Sequence, residues 1–165
     1  MDKLCYQEEL PVERKYDILV AGGGVAGVAA ALAARRAGRS VLLLEKGLIL
    51  GGLATSGLIN MFVPMCNGRG VQIIKGMCQE LLRLSIKYGY DTIPDSWKNG
   101  EHPTRERTER YLTRFSPELF AVALTELLHS EGVDLLLDCI ASAPVMQDGR
   151  CTGLIVQSKA GRSFY

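Results

Sequence analysis

Asp17-Ile18-Leu19-Val20-Ala21-Gly22-Gly23-Gly24-Val25-Ala26-Gly27 is the stretch that decides the fold. Asp17 to Ala21 reads as a short buried strand, and the six residues after it fit G-x-G-x-x-G. Working outward, Val28 to Ala37 reads as a helix closed by Gly38, and Val41 to Leu44 as a second buried strand ending at Glu45. Gly22 permits a sharp strand-to-helix turn, Gly24 lets backbone come close to a pyrophosphate, and Gly27 lets the helix lie against the strands. The phosphates would then meet the unpaired N–H groups around Val25 and Ala26 and the positive end of the helix dipole. Glu45, about twenty residues past the glycines, is placed to accept hydrogen bonds from a ribose diol. A bare G-x-G-x-x-G is weak evidence. Inside a complete βαβ unit with its acid, it favours a bound nucleotide over an idle glycine turn.

The uncharged run Ile18 to Ala34 approaches the length of a membrane span. Its glycine cluster and short aliphatic segment fit a strand and a buried helix instead, so no membrane partner is expected. The chain has 165 residues, 47% hydrophobic and 22% charged, which is one domain, or one domain with an excursion, and enough to bury a core. A net charge of +1 gives no electrostatic case for nucleic acid or an anionic membrane. The five cysteines (Cys5, Cys66, Cys78, Cys139, Cys151) show no CxxC and no metal-ligand spacing, so no metal is expected. Scattered free thiols point to a reducing compartment, and Met1 to Lys15 lacks an apolar signal core, so the cytoplasm is the expected location. Residues 1–15 read as an arm clamped along the surface by Leu10 and Val12.

After Glu45 come Lys46-Gly47-Leu48-Ile49-Leu50-Gly51-Gly52-Leu53-Ala54-Thr55-Ser56-Gly57. Paired glycines among small and hydroxyl residues suit either a plain surface turn or a loop offering N–H groups to a ligand. Its place just past the ribose acid favours the ligand. Residues 16–57 resemble the start of the FAD-dependent oxidoreductases of the glutathione-reductase-like superfamily. The likeness is carried by the glycine turn, Glu45 and Gly51-Gly52-Leu53-Ala54-Thr55-Ser56-Gly57-Leu58. Gly51, Gly52 and Ser56 match the family's second motif, while Ile49 stands where a basic residue is often found. The resemblance implies FAD as the held nucleotide. Gly22, Gly24, Val25, Ala26 and Gly27 would surround the pyrophosphate, Glu45 and Lys46 the adenosine ribose. Gly51, Gly52, Ala54, Thr55 and Ser56 would lead toward the flavin.

Asn60 to Asn67 would by the same resemblance approach the isoalloxazine ring, with Cys66 more simply a small buried residue than a redox group. The paired cysteines of the disulfide-reductase branch are absent. Gly70 to Tyr90 has near-helical apolar spacing, with Gly89 as the stop and Lys75, Gln79, Arg83 and Lys87 as a solvated face. Asp91 to Thr113 reads as a loop excursion or cap. Trp97, His102 and the run Arg105-Glu106-Arg107-Thr108-Glu109-Arg110 could bind an anionic substrate, but mixed-sign charges fit a self-paired, solvated surface better. Ser116-Pro117-Glu118 opens a helix that Gly132 ends, with His129 near its dipole's negative end. Val133 to Leu137 reads as a third strand. Ala143–Gln147, Cys151–Ser158 and Arg162–Tyr165 then form a β-meander punctuated by Asp148-Gly149 and Ala160-Gly161. By the resemblance, backbone near Ala141 would face the adenine.

The expected fold is therefore α/β: a Rossmann-like parallel sheet, an added β-meander and a helical or loop excursion. The expected division is an arm at 1–15, the nucleotide-binding domain at 16–57 and 116–165, and the excursion at 58–115. The family continues into a return strand beyond the meander, which implies an incomplete domain, with an open strand edge that self-associates or takes a complementary chain. Three functions are weighed: an FAD-dependent oxidoreductase or its FAD-binding N-terminal part, an NAD(P)-binding dehydrogenase domain, and a non-catalytic fragment. The substrate is an unidentified small molecule, and no residue stands out as an acid, base or nucleophile.

Overall fold

The computed structural model describes residues 4–165, so Met1 to Lys3 of the expected arm lie outside the described residues. The elements in chain order are β1 (Ile18–Ala21), α1 (Val25–Arg36), β2 (Val41–Leu44), a 3-10 turn (Gly52–Ala54), β3 (Met61–Phe62) and α2 (Met77–Ser85). They continue with α3 (Asp95–Lys98), β4 (Thr113–Arg114), α4 (Pro117–Ser130), β5 (Asp134–Leu136), β6 (Ile140–Gln147), β7 (Arg150–Ser158) and β8 (Gly161–Phe164).

A parallel sheet in the order β1-β2-β5 forms the middle layer. β2 lies between two partners and is buried throughout. β1 has one partner and keeps Ile18 and Ala21 exposed, so the expectation of a buried first strand is corrected to a half-buried edge strand. On one face, Val28 and Leu32 of α1 and Phe120, Leu124 and Leu128 of α4 pack on Leu43. On the other, Leu42 and Leu44 meet Val156 of the meander, with Leu154 and Tyr165 at the margin. The continuous aliphatic run of β2 thus reflects burial from both sides. Each of these aliphatic side chains is worth about 1.5–3 kcal/mol when fully buried.

α1 begins at Val25 rather than Val28, because Gly24 already serves as its N-cap, and it ends before Gly38, whose φ of +79° a helix does not accept. α4 starts where expected, the Ser116 hydroxyl accepting a hydrogen bond from the Leu119 N–H at 3.3 Å. The meander pairs β6-β7-β8 antiparallel. Backbone bonds fasten the arm: the Glu13 N–H donates to the Phe164 carbonyl and the Phe164 N–H to the Pro11 carbonyl, with Leu10 half-buried and Val12 exposed.

The excursion differs most from expectation. Only Met77–Ser85 of the stretch 70–90 is helical, because Gly70 and Gly76 sit at φ +74° and +67° and break the run. β3 and β4 form an antiparallel ribbon, and beside it Met65, Cys66, Leu82, Ile93, Trp97 and Tyr111 make a separate small core. Arg36 ties this region to the main layers, its guanidinium meeting Glu80 of α2 and Glu131 past α4, each at 2.6 Å. Lys75 and Lys87 pair with Glu101 and Glu126, so the face expected to be solvated is partly used for cross-links.

Candidate functional site

The turn between β1 and α1 is built by glycines with separable duties. Gly22 has φ +116°, a left-handed conformation that side chains rarely adopt. A Cβ on Gly27 would stand 1.8 Å from the Gly22 carbonyl oxygen, so the helix rests directly on the turn. Gly23, which the motif leaves variable, is equally constrained: a Cβ there would lie 2.6 Å from Leu50 Cδ2 and 2.9 Å from Glu45 Cβ. Gly24 is the opposite case. Its Cβ would meet nothing within 4 Å, and α1 starts there with no capping side chain and no acid in its first turn. The unpaired N–H groups of that first turn therefore stand beside a glycine whose side-chain position is open.

Glu45 is held by the turn it serves. Its carboxylate accepts from the Gly23 N–H at 2.6 Å and from the Gly47 N–H at 2.7 Å. Each oxygen keeps a further lone pair for an incoming hydroxyl. Replacing Glu45 by Gln sets an amide NH2 against one of these N–H donors and removes the charge from both bonds. The expected cost is about 1.5–3 kcal/mol of folding stability without any nucleotide added, read by urea denaturation. An unchanged midpoint would show that these bonds do not hold the turn.

Two cavities flank the glycines. The first, about 300 Å³, is walled by Ala21, Gly22 and Leu44, with Glu45 and Lys46 on one side and Cys139, Ile140 and Ala141 on the other. It joins Glu45 to Ala141, which lie far apart in sequence. Burial first, then the nearby Asp138 charge, push the Cys139 thiol above its ordinary pKa, which leaves it an unreactive wall. The second cavity, about 440 Å³, runs from Gly24, Val25 and Ala26 past Gly51 and Ala54 to Met61, Phe62 and Phe115. Gly51 reaches it because its N–H donates to the Gly23 carbonyl at 2.8 Å, and its φ of +100° turns the loop back. A Cβ on Gly52 would lie 3.1 Å from the Gly24 Cα. A larger cavity, about 510 Å³, shares only Phe115 with this one and holds none of the cofactor-site residues expected from the sequence.

Thr55 and Ser56 line neither of the two flanking cavities. Thr55 is buried and its hydroxyl donates to the Leu50 carbonyl, which braces the loop under Gly51, while Ser56 is exposed. Ile49 is also exposed. Cys66 is buried, its sulfur accepting from the Tyr111 N–H at 3.2 Å, as its reading as a small core residue requires. Sequence reasoning missed Gly23, for which the triple glycine was the signal. It also missed Phe115, for which there was none: the β3–β4 pairing alone brings it to the cavity. Among the described residues no cluster of His, Cys, Asp or Glu could hold a metal, and no helix is long and apolar enough to cross a membrane.

A family model described as FAD dependent oxidoreductase matches residues 17–165. The probable electron transfer flavoprotein-quinone oxidoreductase of Escherichia coli K12 is 30% identical over 160 residues, 93% of this chain and 35% of that protein. The thioredoxin reductase of Ureaplasma parvum is 29% identical over 76 residues, 46% of this chain and 25% of that protein. The chain thus spans about a quarter to a third of the length of the curated relatives it matches. Among solved structures, a myxobacterial FAD-dependent chondrochloren halogenase superposes with a TM-score of 0.60 at 18% identity, over 90% of this chain and 35% of that one. The 3-ketosteroid-delta4-(5alpha)-dehydrogenase of Rhodococcus jostii RHA1 gives 0.58 at 18%, over 94% and 44%. These structures speak for the fold, and the family model supports the flavin reading. An uncapped helix end beside an open glycine, a fixed acid and two adjoining cavities agree with that match: the chain belongs to the FAD dependent oxidoreductase family.

Proposed function

We propose that this chain is the FAD-holding part of a flavin-dependent oxidoreductase, with residues 16–57 and 116–165 as the nucleotide-binding unit and 58–115 overlying the flavin side. The observation that carries this is the open space at Gly24, at the uncapped end of α1, where Gly24 lines the apolar cavity and neighbours the one that Glu45 walls. In this reading the N–H groups of Val25 and Ala26 meet the diphosphate, with Gly22 and Gly24 giving it room. Glu45 accepts the ribose hydroxyls, and Lys46 and the backbone at Ala141 flank the adenine side. Gly51, Gly52 and Ala54 lead to the apolar cavity, where Met61, Phe62 and Phe115 offer a wall for the isoalloxazine ring. Thr55 braces that loop from beneath.

When bound, FAD supplies the electron chemistry, and the protein supplies position and electrostatics. The substrate is a small molecule met on the flavin side. The edge of β1, with Ile18 38% exposed, is where a further strand or a second copy would pair. Cys5, Cys66, Cys78, Cys139 and Cys151 are all free thiols, which supports a reducing compartment, the cytoplasm.

The test is a titration of the purified chain with FAD, followed by flavin fluorescence and absorbance, with NAD and NADP as competitors. One FAD per chain, undisturbed by either nicotinamide nucleotide, is the expected result. A folded chain that binds no FAD at about 100 μM, some 5.5 kcal/mol in binding free energy, would overturn the reading.

A further inference from the structure

We infer that the excursion carries a second anion site, distinct from the nucleotide cleft, formed by Arg69, Arg107 and Arg110 and suited to a phosphoryl group. These three arginines line one cavity of about 260 Å³ together with Asn67, Gly68 and Thr108. Among the described residues none of the three lies within salt-bridge distance of a carboxylate, although Glu106 and Glu109 are their neighbours in sequence. The Glu109 carboxylate is engaged with the Ser96 hydroxyl at 3.0 Å instead. Lys98 of the same excursion does pair, with Asp95, so the self-pairing expected there does not extend to Arg107 and Arg110.

Three guanidinium groups around one cavity repel each other unless an anion joins them, and their planar forks suit a phosphoryl oxyanion in particular. Thr108 lines the same cavity, its hydroxyl turned into the packed interior rather than toward the open space. Asn67 adds donors: its Oδ1 accepts from the N–H groups of Arg69 and Val71, leaving its NH2 free.

The frame under the arginines is fixed before any ligand arrives. The N–H groups of His102, Thr104 and Thr108 donate to the carbonyls of Gly70, Arg69 and Gly68 at 3.0, 3.1 and 3.0 Å. A Cβ on Gly70 would stand 2.0 Å from the His102 carbonyl oxygen, so the two segments are pressed together. This cavity shares no residue with either cavity of the nucleotide cleft, so its anion is not the diphosphate proposed there.

The test uses the whole chain, labelled with 15N, and titrates it with inorganic phosphate and separately with glycerol 3-phosphate at constant ionic strength. Saturable shifts of the Gly68, Arg69, Thr108 and Arg110 amides are expected, at least tenfold weaker in Arg107→Gln and unchanged in Arg105→Gln. Tighter binding of glycerol 3-phosphate would assign the site to a phosphate ester, and equal binding to free phosphate. The proposal is overturned if neither probe gives saturable shifts at these amides up to about 10 mM, a limit near 2.7 kcal/mol in binding free energy. Shifts that persist undiminished in Arg107→Gln overturn it as well. FAD affinity should be the same in Arg107→Gln and the parent chain, which keeps this result separate from that of the flavin titration.

Discussion

Alanine at Gly27 is expected to cost at least about 3 kcal/mol of folding stability, a large share of the 5–15 kcal/mol that a domain this size has. The added Cβ would sit 1.8 Å from the Gly22 carbonyl oxygen and 3.6 Å from Val20 Cγ1. Neither the carbonyl nor the helix can give way alone. The Gly22 N–H is held by the Leu44 carbonyl at 2.7 Å, and α1 is held by Val28 and Leu32 in the core. Relief requires lifting α1 from the parallel sheet, which strips contacts from the largest apolar cluster. Chemical denaturation of the variant without nucleotide reads this directly, and a midpoint equal to the parent's would mean that the turn and helix are not in close contact.

Alanine at Gly24 should do the reverse. Backbone angles of φ −64° and ψ 171° suit alanine, and its Cβ meets nothing in the chain, so stability should change by less than about 1 kcal/mol. The same methyl group enters the space proposed for the diphosphate. FAD affinity is expected to fall by about a hundredfold, or 2.7 kcal/mol, in the fluorescence titration. Undiminished affinity in a folded Gly24→Ala variant would remove the diphosphate from the end of α1. Two glycines in one motif, three residues apart, thus separate fold from ligand: Gly27 serves the packing of helix on turn, Gly24 the approach of something from outside.

Much of this was legible in the sequence because it is local. The β1–α1–β2 unit, the stop at Gly38, the Ser116 cap and the three meander strands follow from glycines, caps and aliphatic runs that act on their own neighbours. The apolar spacing of 70–90 misled because Gly70 and Gly76 take left-handed angles that periodicity does not register. The β1 strand looked buried because its residues are aliphatic, whereas exposure depends on how many partners a strand has. Phe115, and the arginines left without carboxylates, depend on pairing between segments distant in sequence, such as the Thr108 N–H with the Gly68 carbonyl. Alternating charge signs suggest pairing in a sequence, but pairing needs side chains that reach one another.

A crystal structure of the chain grown with FAD would test the central claim most directly. The account requires diphosphate oxygens within hydrogen-bond reach of the Val25 and Ala26 N–H groups and a ribose hydroxyl on the Glu45 carboxylate. It also requires the ring system against Phe62 and Phe115. FAD bound elsewhere, or a ribose out of reach of Glu45 with the end of α1 facing only solvent, would contradict it.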